Sequence, residues 1–429
     1  MHTSDRYVVI SADCHGGADL PAYRAYLDPR YREDFDLWAE TYEPPYEDLK
    51  GEQGSRNWDS DRRLRELESE GIVAEVLFPN TVPPFFSTSS LGSQIPVRDA
   101  DDLRHRWAGL HAHNRWLAEF CAAEKGRRAG VFQVMLQDID EAIDEVRWAA
   151  GAGLSGGMLL PGAPPGSGLP PLYHHDYYGR LWKVCADLGI PVNCHSGSAA
   201  PRTGDEPEDH VLFMLELSWW DHRVLRHLIL GGVLEENPDL TLVFTEEGLA
   251  WIPNQLKAMD GFVDSARTDA HVQSELTFGA QIARKLSLRP SEFWQRQCYV
   301  GASFMHPSET RIRDLMGPGK IMWGSDYPHT ESTYPYSKSA IALSYAGLPR
   351  HEVAGMLGGT AAKVFGFDLG LLQPAADRIG PRHDEVAAGI DPATLPADAA
   401  KCPAFAGLVT GSSLTRRVDN RAAQPASAG

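Results

Sequence analysis

The stretch Gly189-Ile190-Pro191-Val192-Asn193-Cys194-His195 carries the pattern on which the fold prediction depends. A short, mostly apolar run ends there on an imidazole that can bind a metal or a proton. Because apolar and polar residues do not alternate in it, the run is typical of a strand buried on both faces of a parallel sheet. Amphipathic segments with helical periodicity lie before and after it, so the stretch predicts a β/α unit.

Runs of this kind recur eight times along the chain. The predicted strands are Val8–Ser11, Ala74–Phe78, Gly130–Met135, Gly157–Leu160, Ile190–Cys194, Leu240–Thr245, Gln297–Val300 and Lys320–Trp323. The predicted helices are Asp61–Glu70, Asp102–Ala123, Ile139–Ala152, Tyr177–Leu188, His210–Leu230, Ile252–Ser265 and Arg350–Phe365. Eight strands with intervening helices predict an α/β protein of the (β/α)8 TIM barrel type, distorted by insertions, with its chemistry at the carboxyl ends of the strands. A doubly wound open sheet is the alternative, but no GxGxxG turn follows any of these strands.

Two segments lie outside the β/α repeat. Residues 16–69 form a long insertion after the first strand, where we expect a cap or an entrance to the site. Residues 371–429 are rich in Ala, Pro and Gly, and we expect a C-terminal extension that is partly disordered or lies on another subunit. The barrel itself is expected to span residues 1–370.

The composition restricts the partners of the chain. Its 429 residues include 40 Lys plus Arg and 58 Asp plus Glu, which gives a net charge of -18. An acidic surface repels phosphate groups, so we expect a small-molecule substrate rather than nucleic acid or a membrane surface. We see no apolar run long enough to span a bilayer and no signal peptide. The six cysteines form no CxxC pair, and a cytoplasmic location fits them best.

Metal-competent side chains follow four of the predicted strands. Asp13 and His15 come after the first strand, His195 after the fifth, Glu246 after the sixth and Asp326 after the eighth. Two residues apart on an extended segment, Asp13 and His15 point the same way and can reach one ion. Carboxylates and imidazoles suit Zn²⁺ and tolerate Mn²⁺ or Fe²⁺. We therefore predict one divalent ion, with Zn²⁺ as the first choice, bound by Asp13, His15, His195 and Asp326.

Other histidines have different predicted roles. His111 and His113 lie two apart on a helix, where side chains face about 200° apart and cannot share an ion. His222 and His227 fall inside a long predicted helix and are expected to pack there. His306 comes shortly after the seventh strand and is expected to face the pocket.

Several residues near the strand ends are candidates for substrate contact. Phe85 and Phe86 follow two prolines in a loop after the second strand, where a pocket role is more natural than a core role. Arg202, in the loop after His195, could hold a substrate carboxylate. The predicted substrate-binding residues are Phe85, Phe86, Arg202, Trp219, His306 and His329. The predicted catalytic residues are Asp326, Glu246 and His195.

Four motifs together resemble a known family. They are Ile10-Ser11-Ala12-Asp13-Cys14-His15, Gly189–His195, Asn237–Phe244 and Trp323-Gly324-Ser325-Asp326-Tyr327-Pro328-His329. Over residues 7–368 the chain resembles the amidohydrolase-related (amidohydrolase 2) family of the amidohydrolase superfamily, which includes aminocarboxymuconate semialdehyde decarboxylase and γ-resorcylate-type decarboxylases. The resemblance implies a distorted barrel with one divalent ion, usually zinc. It also implies hydrolysis or non-oxidative decarboxylation of small carboxylated or aromatic substrates.

Two positions depart from the pattern of this family. The family commonly has His-x-His or Glu-x-His after strand one, where this chain has Asp13-x-His15, and its decarboxylases usually have His after strand six, where this chain has Glu246. A carboxylate donates a proton at neutral pH only if burial raises its pKa.

The leading hypothesis is therefore a metal-dependent hydrolase of a small aromatic or cyclic substrate, with Asp326 or Glu246 as general base. A metal-dependent carboxy-lyase is the second hypothesis, and a catalytically inactive barrel that serves as a binding subunit is the third. A homodimer is expected.

Overall fold

Eight parallel strands form the centre of the molecule. The computed structural model describes residues 4–44, 49–86, 96–201, 204, 206–268 and 280–409. Within these residues the strands form one sheet in the order β1 to β8, each hydrogen-bonded to the next. The strands are β1 Ile10–Gly16, β2 Ala74–Pro79, β3 Arg128–Gln133, β4 Gly157–Leu159, β5 Val192–His195, β6 Leu242–Thr245, β7 Cys298–Ser303 and β8 Ile321–Gly324.

The sheet closes between its first strand and the residues that follow its last strand. Cys14 of β1 forms a parallel bridge with Tyr327. The amide of His15 donates to the carbonyl of Tyr327 at 2.7 Å, and the amide of Asp326 donates to the carbonyl of Asp13 at 2.8 Å. The structure therefore confirms the (β/α)8 barrel and not the open sheet.

Helices connect the strands, and the ends of the predicted ones differ from the observed ends by at most three residues. The helices are α1 Tyr23–Tyr26, α2 Arg32–Ala39, α3 Gly51–Gly54, α4 Ser60–Ser69, α5 Ala100–Ala123, α6 Ile139–Gly151, α7 His175–Leu188, α8 Pro207–Leu230, α9 Val233–Glu236, α10 Trp251–Thr268, α11 Ala280–Ala283, α12 Pro290–Gln297, α13 Pro307–Thr310, α14 Ser337–Tyr345, α15 Arg350–Ala354, α16 Thr360–Phe365, α17 Leu369–Ile379 and α18 His383–Ala388. The segment predicted as a single helix at Arg350–Phe365 is α15 and α16, joined by a π-helical turn at Gly355–Gly359. None of the described helices combines the length and the hydropathy that a membrane span requires.

The first strand differs most from its prediction. The sequence predicts Val8–Ser11, whereas β1 runs over Ile10–Gly16, so Asp13 and His15 lie within the strand and not after it. Polar residues in a sequence normally indicate the end of a buried strand. The side chains of Asp13 and His15 are buried here because they face other polar groups at the mouth of the barrel. The pairing of β1 with β2 continues beyond a register shift.

The core has an inner part and an outer part. Inside the barrel, strand residues such as Val76, Val131 and Met322 pack with Phe365 and Leu372 of the C-terminal helices. A larger cluster joins the outer faces of the strands to the surrounding helices. Because α16 and α17 contribute to the inner cluster, apolar packing fills the barrel interior, and the polar groups gather at the carboxyl ends of the strands.

Both segments outside the β/α repeat pack on the barrel where they are described. In the insertion, Arg63 of α4 is fully buried, pairs with Glu75 of β2 at 2.7 Å and donates to the carbonyl of His15 at 2.7 Å. In the extension, Phe405 packs in a third cluster with Phe304. The described part of the extension therefore contacts its own barrel, while the division at residue 370 stays a prediction.

Candidate metal centre

The carboxyl ends of β1, β5, β6 and β8 bring six metal-competent side chains together. They are Asp13, His15, His195, Glu246, Asp326 and His329. They form two overlapping groups that share His15. In each group the potential ligand atoms lie within 4.8 Å of one another. We call these six residues the metal group.

The separations within the metal group are those of atoms that share one ion. Nε2 of His15 lies 3.3 Å from Oδ1 of Asp13 and 3.0 Å from Oδ1 of Asp326. Nε2 of His195 lies 3.4 Å from Oδ1 of Asp13 and 3.5 Å from Oε2 of Glu246. Two ligands bound about 2.0–2.2 Å from a tetrahedral ion are roughly 3.3–3.6 Å apart. The geometry is therefore compatible with a single cation among these atoms.

Buried polar atoms in the metal group lack hydrogen-bond partners. Nε2 of His15 and both carboxylate oxygens of Asp326 are buried and form no hydrogen bond with any described group. Nδ1 of His15 lies 3.5 Å from the carbonyl of Pro79, a contact that leaves the lone pair of Nε2 for the site if Nδ1 carries the proton. A buried polar group without a partner costs about 1–3 kcal/mol. A divalent cation would bind the lone pairs of these atoms, so the residues present fit a metal ion.

The carboxyl groups of the metal group have pKa values that are shifted in opposite directions. Burial opposes the charge of Asp13, but the imidazoles of His15 and His195 beside it hold its pKa well below the usual range. Burial raises the pKa of Asp326 well above its usual value, and the nearby charges of Glu246 and Asp13 add to this effect although His329 opposes it. Burial also raises the pKa of Glu246. Three carboxylates in a buried site are a strong reason for a cation to bind there.

The backbone is strained at three neighbouring strand ends. Glu246 after β6 and Asp326 after β8 both have φ of 61°, and Phe304 after β7 has φ of 53°. Residues other than glycine rarely adopt this left-handed conformation, which costs on the order of 1–3 kcal/mol. Such strain is concentrated at functional sites, and here it occurs at two members of the metal group.

A carboxylate on α8 fixes the turn that follows His195. Asp221 is fully buried, and its Oδ1 accepts hydrogen bonds from Oγ of Ser198 at 3.0 Å and from the amide of Ala199 at 2.9 Å. Its Oδ2 accepts a third bond from the amide of Gly197 at 2.9 Å. The position of His195 therefore depends on a helix that begins more than ten residues later in the chain.

The sequence analysis missed three residues that support the site: Ser303, Asp221 and Arg63. Ser303 at the end of β7 donates a hydrogen bond to Oδ2 of Asp13. An acidic residue among apolar ones, as at Asp221 in its helix, is a signal that could have identified a buried contact. No comparable signal exists for Ser303, because a serine at a strand end is common.

Among the predicted substrate residues, only some lie near the metal group. The ring of His329 is 4.3 Å from that of His15, and His306 lines a cavity beside the group. Phe85 contacts Phe35, Trp38 and His105 in the insertion and in α5.

Two further predicted substrate residues, Phe86 and Trp219, contact other side chains. The guanidinium of Arg106 lies over the ring of Phe86. Trp219 is 49% exposed on α8 and contacts Trp220. Arg202 is outside the described residues. The substrate-binding roles of all these residues stay predictions.

The histidines excluded from the site lie on helices. His111 of α5 is 3.2 Å from Glu141 and 3.3 Å from Glu145. His113 is fully buried beside Tyr23 and Trp116. Neither of them belongs to a metal-competent group among the described residues.

The fold and the site together define the class of protein. A closed (β/α)8 barrel carries carboxylates and imidazoles at the carboxyl ends of its strands, in two overlapping groups whose geometry fits metal binding. The sequence pattern of the amidohydrolase family matches residues 37–367. The chain belongs to this family and is an enzyme of the metal-dependent hydrolase or carboxy-lyase type.

Solved structures of similar fold include both amidohydrolases and decarboxylases. An amidohydrolase from Mycobacterium avium subsp. paratuberculosis has a TM-score of 0.61 and 19% identity, over 85% of this chain and 99% of the other. 5-Carboxyvanillate decarboxylase from Sphingomonas paucimobilis has a TM-score of 0.59 and 19% identity, over 84% and 100%. The 5-carboxyvanillate decarboxylase from Novosphingobium aromaticivorans, complexed with manganese and 4-hydroxy-3-methoxy-5-nitrobenzoic acid, has a TM-score of 0.61 and 16% identity, over 84% and 97%. At these identities the likeness shows the fold alone. None of the curated proteins matches the chain.

Proposed function

We propose that the protein is a metal-dependent carboxy-lyase that removes carbon dioxide from a small aromatic acid without an oxidant. The observation that carries the proposal is the convergence of carboxylates and imidazoles at the strand ends in two overlapping groups, within each of which the ligand atoms lie within 4.8 Å of one another. Support comes from the similar fold of proteins named as 5-carboxyvanillate decarboxylases, one of which is complexed with manganese.

Asp13, His15, His195 and Asp326 would hold the ion, and Glu246 is an additional carboxylate within reach. Bound there, a divalent ion supplies Lewis-acid chemistry. The imidazoles suit Zn²⁺, which remains the first choice, whereas three carboxylates also favour Mn²⁺ or Fe²⁺.

The side chains of this chain would manage the proton. In decarboxylation the bond between the ring carbon and the carboxylate breaks, its electron pair stays on the ring carbon, and that carbon takes up a proton. Asp326 would take up and deliver this proton, because its carboxyl lies within the metal group and neither of its oxygens forms a hydrogen bond with a described group. Phe78, which is fully buried with its ring 4.7 Å from that of His195, helps to exclude water.

Hydrolysis of a small aromatic or cyclic substrate is the second candidate, and Glu246 favours it. Oε2 of Glu246 lies 3.5 Å from Nε2 of His195, so a carboxylate at this place can accept a proton from water as a general base. The inactive barrel has less support, since Asp13 and Glu246, whose unusual identities suggested it, both belong to the metal group. A homodimer, a small-molecule partner and a cytoplasmic location remain proposals from the sequence.

Isotope labelling of the product separates the two reactions. Metal-loaded protein is incubated with a panel of aromatic acids and cyclic amides or esters in D₂O containing H₂¹⁸O, and the products are analysed by mass spectrometry. A carboxy-lyase gives an aromatic product that has lost carbon dioxide, gained one deuterium on the ring and gained no ¹⁸O. A product with ¹⁸O at the cleaved bond contradicts the proposal and favours hydrolysis.

Substitution of one histidine tests the metal site itself. We expect His195→Ala to lose the bound ion and all turnover, because its Nε2 lies within 3.5 Å of two carboxylates. His111→Ala is the matched control on α5 and should keep its metal content, measured by elemental analysis of the purified protein. Loss of the ion from His111→Ala together with its retention in His195→Ala would refute the assignment.

A further inference from the structure

The N-terminal half of helix α8 exposes a cluster of large apolar side chains. Of the twelve large hydrophobic residues that are exposed in the described part of the chain, five lie within nine consecutive positions of this helix, with exposed fractions from 49% to 77%. Single exposed apolar residues are normal, but a contiguous group marks an interaction site. We call these residues the α8 patch: Val211, Leu212, Met214, Leu215 and Trp219.

A small ligand does not account for the α8 patch. Met214 and Leu215 line the cavity beside the metal group. Val211, Leu212 and Trp219 are not among its described lining residues. A molecule in the cavity would therefore leave three of the five side chains in water, whereas a protein surface can cover several turns of a helix at once.

An anionic lipid surface does not fit the patch either. The half of α8 that carries the patch contains Glu208, Asp209 and Glu216 and has no lysine or arginine. Helices that lie on membranes carry lysine and arginine on their polar face. The favoured occupant is therefore a protein surface that offers both apolar groups and positive charge.

One stripe along α8 has a palindromic order of charged and apolar residues. At about 100° per residue, Glu208, Leu215, Trp219 and Arg226 lie within a sector of roughly 40°. Leu215 and Trp219 form an inner pair, Glu208 and Arg226 form an outer pair, and both pairs are centred on Leu217. A second copy of the helix, running in the opposite direction, presents the other member of each pair. The stripe is therefore complementary to itself.

The positive end of the stripe lacks a negative partner in the described chain. Partial burial and the neighbouring charge of Arg223 lower the pKa of Arg226, and no described carboxylate offsets them. The guanidinium of Arg223 lies over the rings of Trp219 and Trp220, and so it extends the aromatic end of the patch. Glu208 at the other end of the stripe is exposed. Each end can therefore accept an ion pair from another molecule.

We propose that α8 forms the interface between two copies of this chain, which pack their α8 helices antiparallel about a two-fold axis near Leu217. Leu215 then contacts Trp219 of the partner subunit, and Glu208 pairs with Arg226 of the partner subunit. Each contact occurs twice, because such an interface uses the same surface of both copies. Burial of the patch supplies the affinity, and the ion pairs set the register. The dimer does not depend on which reaction the barrel catalyses.

Sedimentation velocity of the metal-loaded protein over a range of concentrations measures its oligomeric state, and we expect a dimer. Leu215→Glu changes a residue that is 77% exposed, so the monomer tolerates it. It should raise the dissociation constant of the dimer about 100-fold or more, because it buries a carboxylate against an apolar ring in both copies. Leu37→Glu, at a leucine of α2 that is 67% exposed, is the matched control and should leave the constant unchanged.

Exchange of charges tests the antiparallel register. Glu208→Arg and Arg226→Glu should each raise the dissociation constant about tenfold, because each places like charges opposite each other twice. The double variant restores opposite charges and should associate about as tightly as the unmodified protein. A mixture of the two single variants should form heterodimers in preference to either homodimer, which keeps the register testable if the double variant fails to fold.

Several results would overturn the proposal. A monomer at every concentration does so, and so does a dimer whose dissociation constant is unchanged by Leu215→Glu. Equal weakening in the single and double charge variants, without heterodimers in the mixture, excludes the antiparallel pairing. Monomeric protein that sediments with vesicles of phosphatidylcholine and phosphatidylglycerol would assign the patch to a membrane surface instead.

Discussion

Asp326 combines three properties that single it out among the residues of the site. Its carboxyl is completely buried, neither oxygen forms a hydrogen bond with a described group, and its backbone has φ of 61°. A strained and unsatisfied acid is costly for stability, so function is the better explanation of its presence. Glu246 shares the strained φ and the raised pKa, but its side chain remains partly accessible.

Replacement of Asp326 should separate metal binding from proton transfer. We expect Asp326→Asn to lower kcat by about 10²-fold or more, because an amide cannot hold the proton at this position. Elemental analysis of the same preparation reports whether the ion is retained through the other ligands. A variant that keeps both its metal and its full kcat would exclude Asp326 as the proton source.

At the scale of elements, helix α8 links several parts of the site. Asp221 fixes the turn after β5, and Met214 and Leu215 in the N-terminal half of the helix line the cavity that His306 also lines. Its C-terminal half is packed into the core, whereas much of its N-terminal half is exposed. The sequence predicts this helix at His210–Leu230, and the helix begins at Pro207. Helical periodicity does not show which strand end an acidic side chain of the helix will contact.

Asp221 is expected to act as a positioning residue for His195. An asparagine at this position would direct its NH₂ group toward hydrogen-bond donors that now donate to the carboxylate. Asp221→Asn should therefore weaken metal binding about 10–100-fold. The measurement is competition against a chelator with a known metal affinity. Asp187→Asn on α7, where the carboxylate forms an exposed pair with Lys183, is the control and should bind metal normally. Unchanged metal affinity in a folded Asp221→Asn protein would contradict the role.

At the scale of the whole molecule, buried ionisable groups tie stability to pH. His113 is fully buried on α5, and burial lowers its pKa from 6.5 to about 4. Between these two values the unfolded chain binds a proton that the folded chain does not. The free energy of unfolding therefore rises with pH through this interval and falls as the solution is acidified.

The contribution of His113 can be measured by urea unfolding at a series of pH values. We expect it to destabilise the fold by on the order of 3 kcal/mol as the pH falls from 6.5 to 4. His113→Phe should remove this part of the pH dependence. Trp116→Phe, at a ring that contacts His113, changes the packing without removing an imidazole and should keep it. An unaltered slope in His113→Phe would show that the imidazole is protonated equally in both states.

The sequence by itself determined the eight strands, most helix ends and the set Asp13, His15, His195 and Asp326, which the structure brings together. These features follow from local patterns, since a buried strand needs a continuous apolar run and a barrel gathers the residues at the carboxyl ends of its strands. Only the tertiary structure decided the extent of β1, the contacts of Asp221, Ser303 and Arg63, and the cavity that His306 lines beside the site. Each of these depends on side chains that are distant in the chain and meet only when the barrel closes. Their interaction leaves no period or spacing in the sequence, because packing and electrostatic contact act through space.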